Sequence, residues 1–337
     1  MNTTIAVALV LCVAGIVLLS FAADAFVEGA ARLATIMNVS PIVIGAVIIG
    51  FGTSAPEMLV SAVAAARGDV DLGLGNVIGS NIANLSLVLG SAALIVPIAV
   101  AKEVLKREAI MATTAAIVFA AAVYRGIEPW EGAVLLILLI AAIYWVVRSG
   151  NVPPIDEFVE EGKEPKLGVE SIRTLIGLVG TVGGAWILVR GATDLATEFG
   201  FDKGFVGVTL VAIGTSLPEL VTTVAAARQG STDLIVGNLL GSNLFNSLAV
   251  GAVIGFFGSD GVGSFLGSGE SAPLLDITFM LIVCIGAFIA MWSREIFTRI
   301  EGLLLLTVFV AFIAMAYASE ADASSAAAAA IAAIVPG

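Results

Sequence analysis

The chain has 337 residues, 59% hydrophobic and 12% charged, with a mean hydropathy of +1.08 and 37 glycines, which excludes a soluble globular domain. Its net charge of −12, spread over short connections with no basic stripe, excludes a nucleic-acid binder. Histidine is absent and the two cysteines, Cys12 and Cys284, lie in apolar runs without a CxxC pair, so His-based metal sites, Ser-His-Asp hydrolysis, a zinc site and a disulfide framework all fall away.

Apolar runs near the ~20 residues that cross a bilayer as helix fall at 5–23, 36–66, 72–101, 109–124, 131–147, 172–189, 204–227, 234–258, 274–291 and 300–317. They predict an all-α membrane protein of ten spans. Met1 to Thr4 carries no basic residue, so the first run reads as a retained helix and not a cleaved signal. The second run contains GFGTSAPEM (50–58), where Gly52 and Pro56 predict a break near Thr53 to Ala55, with Pro56 opening a second half-helix. Ser54-Ala55-Pro56-Glu57 also matches a capping box. Capping is worth about 1 kcal/mol, whereas an ionised carboxylate at the bilayer centre costs a few. A ligand role for Glu57 therefore explains the acid better than a cap does. The break also predicts backbone carbonyls, Gly50 and Ala212 among them, turned toward a cavity.

The motif recurs 162 positions on as AIGTSLPEL (212–220), and GNVIGSNIAN (75–84) recurs as GNLLGSNLFN (237–246). Residues 45–84 and 207–246 share 17 identities in 40 positions without a gap. Five spans per copy mean that the second copy enters the membrane from the opposite face. The expected organisation is a first five-helix repeat over 1–148, a Pro- and acid-rich cytoplasmic linker over 149–170, a second five-helix repeat over 171–320 and an Ala-rich tail over 321–337. Inverted repeats with helices interrupted at matching positions point to a transport site near the midplane. Four Lys and Arg fall on the side of the termini and eleven on the other, so the reading is a multi-pass cell-membrane protein with both termini outside.

Glu57 and Glu219, brought together by that symmetry, supply two negative charges among hydroxyls and carbonyls, the hard oxygen donors that Ca²⁺ and Na⁺ accept. Ser80 and Asn84 share one helical face, as do Ser242 and Asn246, and read as further ligands. Asn76, Asn81, Asn238 and Asn243 read as caps or packing. Asp24, Glu28, Arg32, Asp194 and Glu198 read as solvated helix-end charges, with Asp24 or Glu28 available to draw cations to an outer mouth.

GTSAPE with GSNIAN, and GTSLPE with GSNLFN, resemble the paired α-repeats of the calcium/cation antiporter superfamily, most closely the prokaryotic sodium/calcium exchangers. The resemblance implies a ten-helix fold of two inverted repeats with a central four-helix ion-binding core, past which the first and sixth helices slide. Position by position it makes Glu57 and Glu219 the carboxylates shared by Ca²⁺ and Na⁺. Thr53, Ser54, Ser80, Thr215, Ser216 and Ser242 surround them with the carbonyls of Gly50 and Ala212, and Asn84 and Asn246 face the centre. Relatives that require K⁺ carry Asp where this chain has Asn246, so K⁺ co-transport is not implied. The transported ions are the ligands, with no resident cofactor, no nucleic acid and no obligate protein partner. A proton/calcium exchanger stays open as the alternative, since the same carboxylates can carry protons. A hydrolase built on Ser54 or Ser216 is set aside because neither has a His or Lys beside it.

Overall fold

The computed structural model describes residues 3–37, 39–66, 68, 70–149, 166–198, 213–257 and 272–315. These form helices α1 (Thr3–Met37), α2 (Pro41–Thr53), α3 (Ala55–Ala66), α4 (70–95), α5 (102–125), α6 (Pro129–Ser149), α7 (Leu167–Glu198), α8 (Leu217–Arg228), α9 (232–257), α10 (Ala272–Arg294) and α11 (299–315). Two short strands, β1 (Ile98–Ala99) and β2 (Ile296–Phe297), pair antiparallel. Among the described residues seven helices are long and apolar enough to cross a membrane, or eight if α2 and α3, bent by 42°, count as one span. Of the ten expected spans, that at 204–227 meets the described residues as 213–227 and that at 300–317 as 300–315.

Three boundaries differ from the hydropathy reading. The run at 5–23 is only the first part of α1, which continues to Met37 because Asp24, Glu28 and Arg32 sit among good helix formers and Glu28 pairs with Arg32 one turn on. α5 begins at Lys102 and not near 109, since charges that lower local hydropathy occupy its first turns. α7 begins at Leu167, inside the expected linker; the rest of that linker, 150–165, and the tail after 315 lie outside the described residues.

α1 and α7, of 35 and 32 residues, rise about 52 and 48 Å at 1.5 Å per residue, well beyond a hydrocarbon core of about 30 Å. They run antiparallel in contact, and small residues let the backbones meet. A Cβ on Gly177 would stand 2.5 Å from the backbone nitrogen of Phe26, and one on Gly191 would stand 2.7 Å from the carbonyl of Ala8. Beside the Gly177–Phe26 contact, Arg32 and Arg173 both bridge Glu28 and Glu170.

α9 runs through the centre. Every residue from Leu234 to Phe245 is buried, so this helix is enclosed by protein all round. It crosses α2 where Gly237 and Gly241 face Ile42 and Ala46, a close approach that side chains would forbid. That crossing brings the polar residues of α2 and α9 together.

Candidate ion site

The site starts at two matching bends. Ser54 has φ −81° and ψ 1°, and Ser216 has φ −85° and ψ 2°. Each precedes a proline by two residues. The ring of Pro56 clashes with the carbonyl four residues back, which belongs to Gly52, and the chain bends at Ser54. The bend does not unwind the helix: Ser54 N donates to Gly50 O at 3.1 Å and Met58 N to Ser54 O at 3.1 Å. The carbonyl of Gly50 is therefore not left bare, and it also accepts from Ser242 Oγ at 3.4 Å. Ala212 lies outside the described residues.

Glu57 and Glu219 open the half-helices that follow and both have no solvent exposure. They are close enough for their charges to act on each other. Ser54 Oγ, from the first repeat, donates to Glu219 Oε1 of the second at 3.2 Å. Neither serine caps its helix: the hydroxyl of Ser54 is spent on Glu219, and that of Ser216 makes no capping bond. Among the described residues both carboxylate oxygens of Glu57, Oε2 of Glu219 and Oγ of Ser216 have no hydrogen-bond partner.

The threonines beside these serines reach across the same divide. Thr53 Oγ1 lies 3.3 Å from Asn238 Oδ1 and 3.4 Å from Ser242 Oγ, and Thr215 Oγ1 lies 3.2 Å from Asn76 Oδ1. The two threonine–asparagine contacts are related by the 162-residue offset with the halves exchanged. Ser80 and Ser242 are fully buried, and Ser80 Oγ has no partner among the described residues. Asn84 donates to Asn243 Oδ1 at 3.0 Å, while among the described residues both buried amide atoms of Asn246 have no partner. Asn84 and Asn246 each begin a widened π-helical stretch, Asn84–Val88 and Asn246–Val250, a distortion that recurs at functional positions.

A buried acceptor without a donor costs free energy, and a buried charge costs more. Here such acceptors gather on facing helices around two acids. One divalent cation, or more than one monovalent cation, would satisfy both the charge and the lone pairs. Among the described residues no group of three or more Cys, Asp and Glu is placed to hold a metal ion.

A family profile described as sodium/calcium exchanger protein matches residues 7–148 and 172–318. The chain belongs to the sodium/calcium exchanger family. Within that family it is 36% identical to the putative antiporter CaxA of Alkalimonas amylolytica, over 91% of this chain and 97% of that one. It is 30% identical to the sodium/calcium exchanger MaX1 of Methanosarcina acetivorans, over 90% and 96%. Among solved structures it is similar to the sodium-calcium exchanger NCX_Mj soaked with Na⁺ and Sr²⁺, with a TM-score of 0.81, 32% identity and coverage of 92% and 98%. The chain is thus a multi-pass membrane protein of the exchanger family, and its matched segments include both acidic motifs.

One reading of the sequence changes. Asn76 and Asn238, taken as caps or packing, contact the site threonines directly; their one sequence signal was recurrence in register with the acids. Asp24 lines a cavity of about 340 Å³ with Ser20, Ser91, Leu220, Val224 and Arg228. Glu28 is held by Arg32 and Arg173, and Asp194 pairs with Arg190 at 3.1 Å.

Proposed function

We propose that this exchanger is a secondary antiporter that moves Na⁺ inward and Ca²⁺ outward by alternating access, the ions competing for Glu57 and Glu219. The observation that carries the reading is the carboxylate pair: two fully buried acids, one from each repeat, with three of their four oxygens unpartnered among the described residues. Thr53, Ser54, Ser80, Thr215, Ser216, Ser242, Asn84, Asn246 and the carbonyls of Gly50 and Ala212 complete the ligand set. One Ca²⁺ neutralises the pair, and Na⁺ ions replace it. The architecture we assign is ten helices in two inverted repeats, with both termini outside.

Exchange follows from electrostatics. Two bare carboxylates in a low-dielectric site repel each other and cannot be resolvated by protein dipoles alone, so the empty carrier switches sides poorly. The names of the relatives favour Na⁺ as the coupling ion, MaX1 and NCX_Mj both being called sodium-calcium exchangers.

The test is ⁴⁵Ca²⁺ uptake into proteoliposomes of the purified protein under an outward Na⁺ gradient, with Li⁺, K⁺ and pH gradients as separate arms. Uptake in the Na⁺ arm alone is expected. Uptake driven by a pH step in Na⁺-free buffer would make the protein a proton/calcium exchanger, and uptake indifferent to every counter-ion would end the antiporter reading.

A further inference from the structure

We propose that the cavity between α1, α4 and α8 binds the headgroup of a zwitterionic aminophospholipid, a phosphatidylethanolamine of the bilayer, with Asp24 holding its ammonium and Arg228 its phosphate. The cavity is separate from the ion site, which lies on the other side of α8.

Its volume of about 340 Å³ falls within the range of about 300–1,000 Å³ found for ligand pockets. α8 lines it with Leu220, Val224 and Arg228, which are four apart and so share one face. Glu219, Thr222 and Thr223 are buried on the opposite face of that helix, where they meet Ser54 and Asn238. A ligand in this cavity is therefore held outside the ion-binding core.

The depth of the cavity follows from α1. Val17, Phe21, Asp24 and Glu28 succeed one another at three- and four-residue spacings and share a face. Val17 and Phe21 are 50% and 75% exposed, as apolar side chains are on a helix surrounded by lipid, whereas Glu28 is paired with Arg32 and Arg173. The passage from hydrocarbon to headgroup falls between them, at Asp24. Arg228 is the last residue of α8, beside the turn that Gly230 makes with φ 73°, and so lies at a membrane boundary as well.

The chemistry selects the headgroup. Asp24 and Arg228 are both exposed, and among the described residues neither takes part in a hydrogen bond or an ion pair. Opposite charges that line one cavity without pairing suit a ligand that carries both signs. Ser20 Oγ, also in the lining, gives its hydrogen to Ile16 O at 3.0 Å and keeps lone pairs to accept with. An ethanolamine ammonium has N–H donors for both the carboxylate and that hydroxyl, and the guanidinium fork matches a phosphate. Choline has no N–H to give. Phosphatidylglycerol brings a phosphate with no cation and leaves Asp24 facing like charge. Leu220 and Val224 offer an apolar wall to the start of the acyl chains.

Native mass spectrometry of delipidated full-length protein in detergent, offered phosphatidylethanolamine, phosphatidylcholine and phosphatidylglycerol of the same acyl chains in equal amounts, tests this. Wild type is expected to bind phosphatidylethanolamine about tenfold more tightly than phosphatidylcholine, the scale of one charge-assisted hydrogen bond. Asp24→Asn should bring the two within about twofold of each other, and Arg228→Gln should weaken all three lipids. Both side chains are exposed, so neither change removes a packed group. Equal binding of the two zwitterionic lipids by wild type, or a preference that survives Asp24→Asn, would overturn the proposal. Water-soluble O-phosphoethanolamine carries the same charges without chains and is expected to leave the bound lipid in place. Displacement of the lipid by an equal concentration of it would overturn the lipid assignment and make the cavity a site for soluble phosphoamines.

Discussion

Glu57 and Glu219 carry opposing consequences for stability and for function. Without a cation they are buried acceptors facing each other, and removing one charge relieves that repulsion. Glu57→Gln is therefore expected to abolish Na⁺-driven ⁴⁵Ca²⁺ uptake while leaving ion-free thermal unfolding in detergent unchanged or shifted upward. In wild type, saturating Ca²⁺ at 100 times its dissociation constant should add about 2.7 kcal/mol, and in Glu57→Gln this Ca²⁺-dependent shift should be lost. A variant that still takes up Ca²⁺ at the wild-type rate would reject the ligand assignment. The two acids were legible in the sequence because Pro-Glu recurs in register within apolar runs. The fate of the hydroxyls was not, because it depends on which partner lies across the α2 and α9 crossing: Ser54 fits a capping box in sequence and donates to Glu219 in the fold.

At the scale of elements, α1 and α7 form a close antiparallel pair whose contact is made by missing side chains. Gly177→Leu would drive four carbons into the backbone of Phe26, and overpacking of this kind costs typically 1–3 kcal/mol. It should lower the unfolding temperature in detergent, whereas Gly183→Leu on the same helix, where a Cβ meets nothing within 4 Å, should change it little. Equal effects of the two would mean that the pair does not hold at this face. The length of α1 was hidden from hydropathy because Asp24, Glu28 and Arg32 interrupt the apolar run, and only the contacts of Glu28 with Arg32 and Arg173 show how charge is carried there. The broken helix was visible in advance, since Gly52 and Pro56 act on their own backbone and need no distant partner. Its modest 42° bend was not, because retention of the Ser54-to-Gly50 bond is a matter of how the ring clash is absorbed.

Across the whole molecule the 162-residue offset is the strongest statement in the sequence, and it reappears in backbone detail. Gly68 and Gly230 both take positive φ, 82° and 73°, in the turns that follow α3 and α8. A repeat of ordinary sense would put those two turns on the same face of the membrane; an inverted repeat puts them on opposite faces. The adjacent residues Ala66 and Arg228 are related by the same offset and are both exposed, and neither needs a left-handed backbone, so cysteine fits at each without strain. After Cys12 and Cys284 are replaced by Ser, Ala66→Cys in right-side-out vesicles is expected to react with a membrane-impermeant maleimide before permeabilisation, and Arg228→Cys only after it. The order follows from the Lys and Arg count, which assigns the turn after α3 to the outside and the turn after α8 to the inside. The reverse order would keep the inverted repeat and turn the molecule over in the bilayer. Labelling of both from one side would remove the inversion, and with it the reason that one carboxylate from each half should meet at mid-membrane.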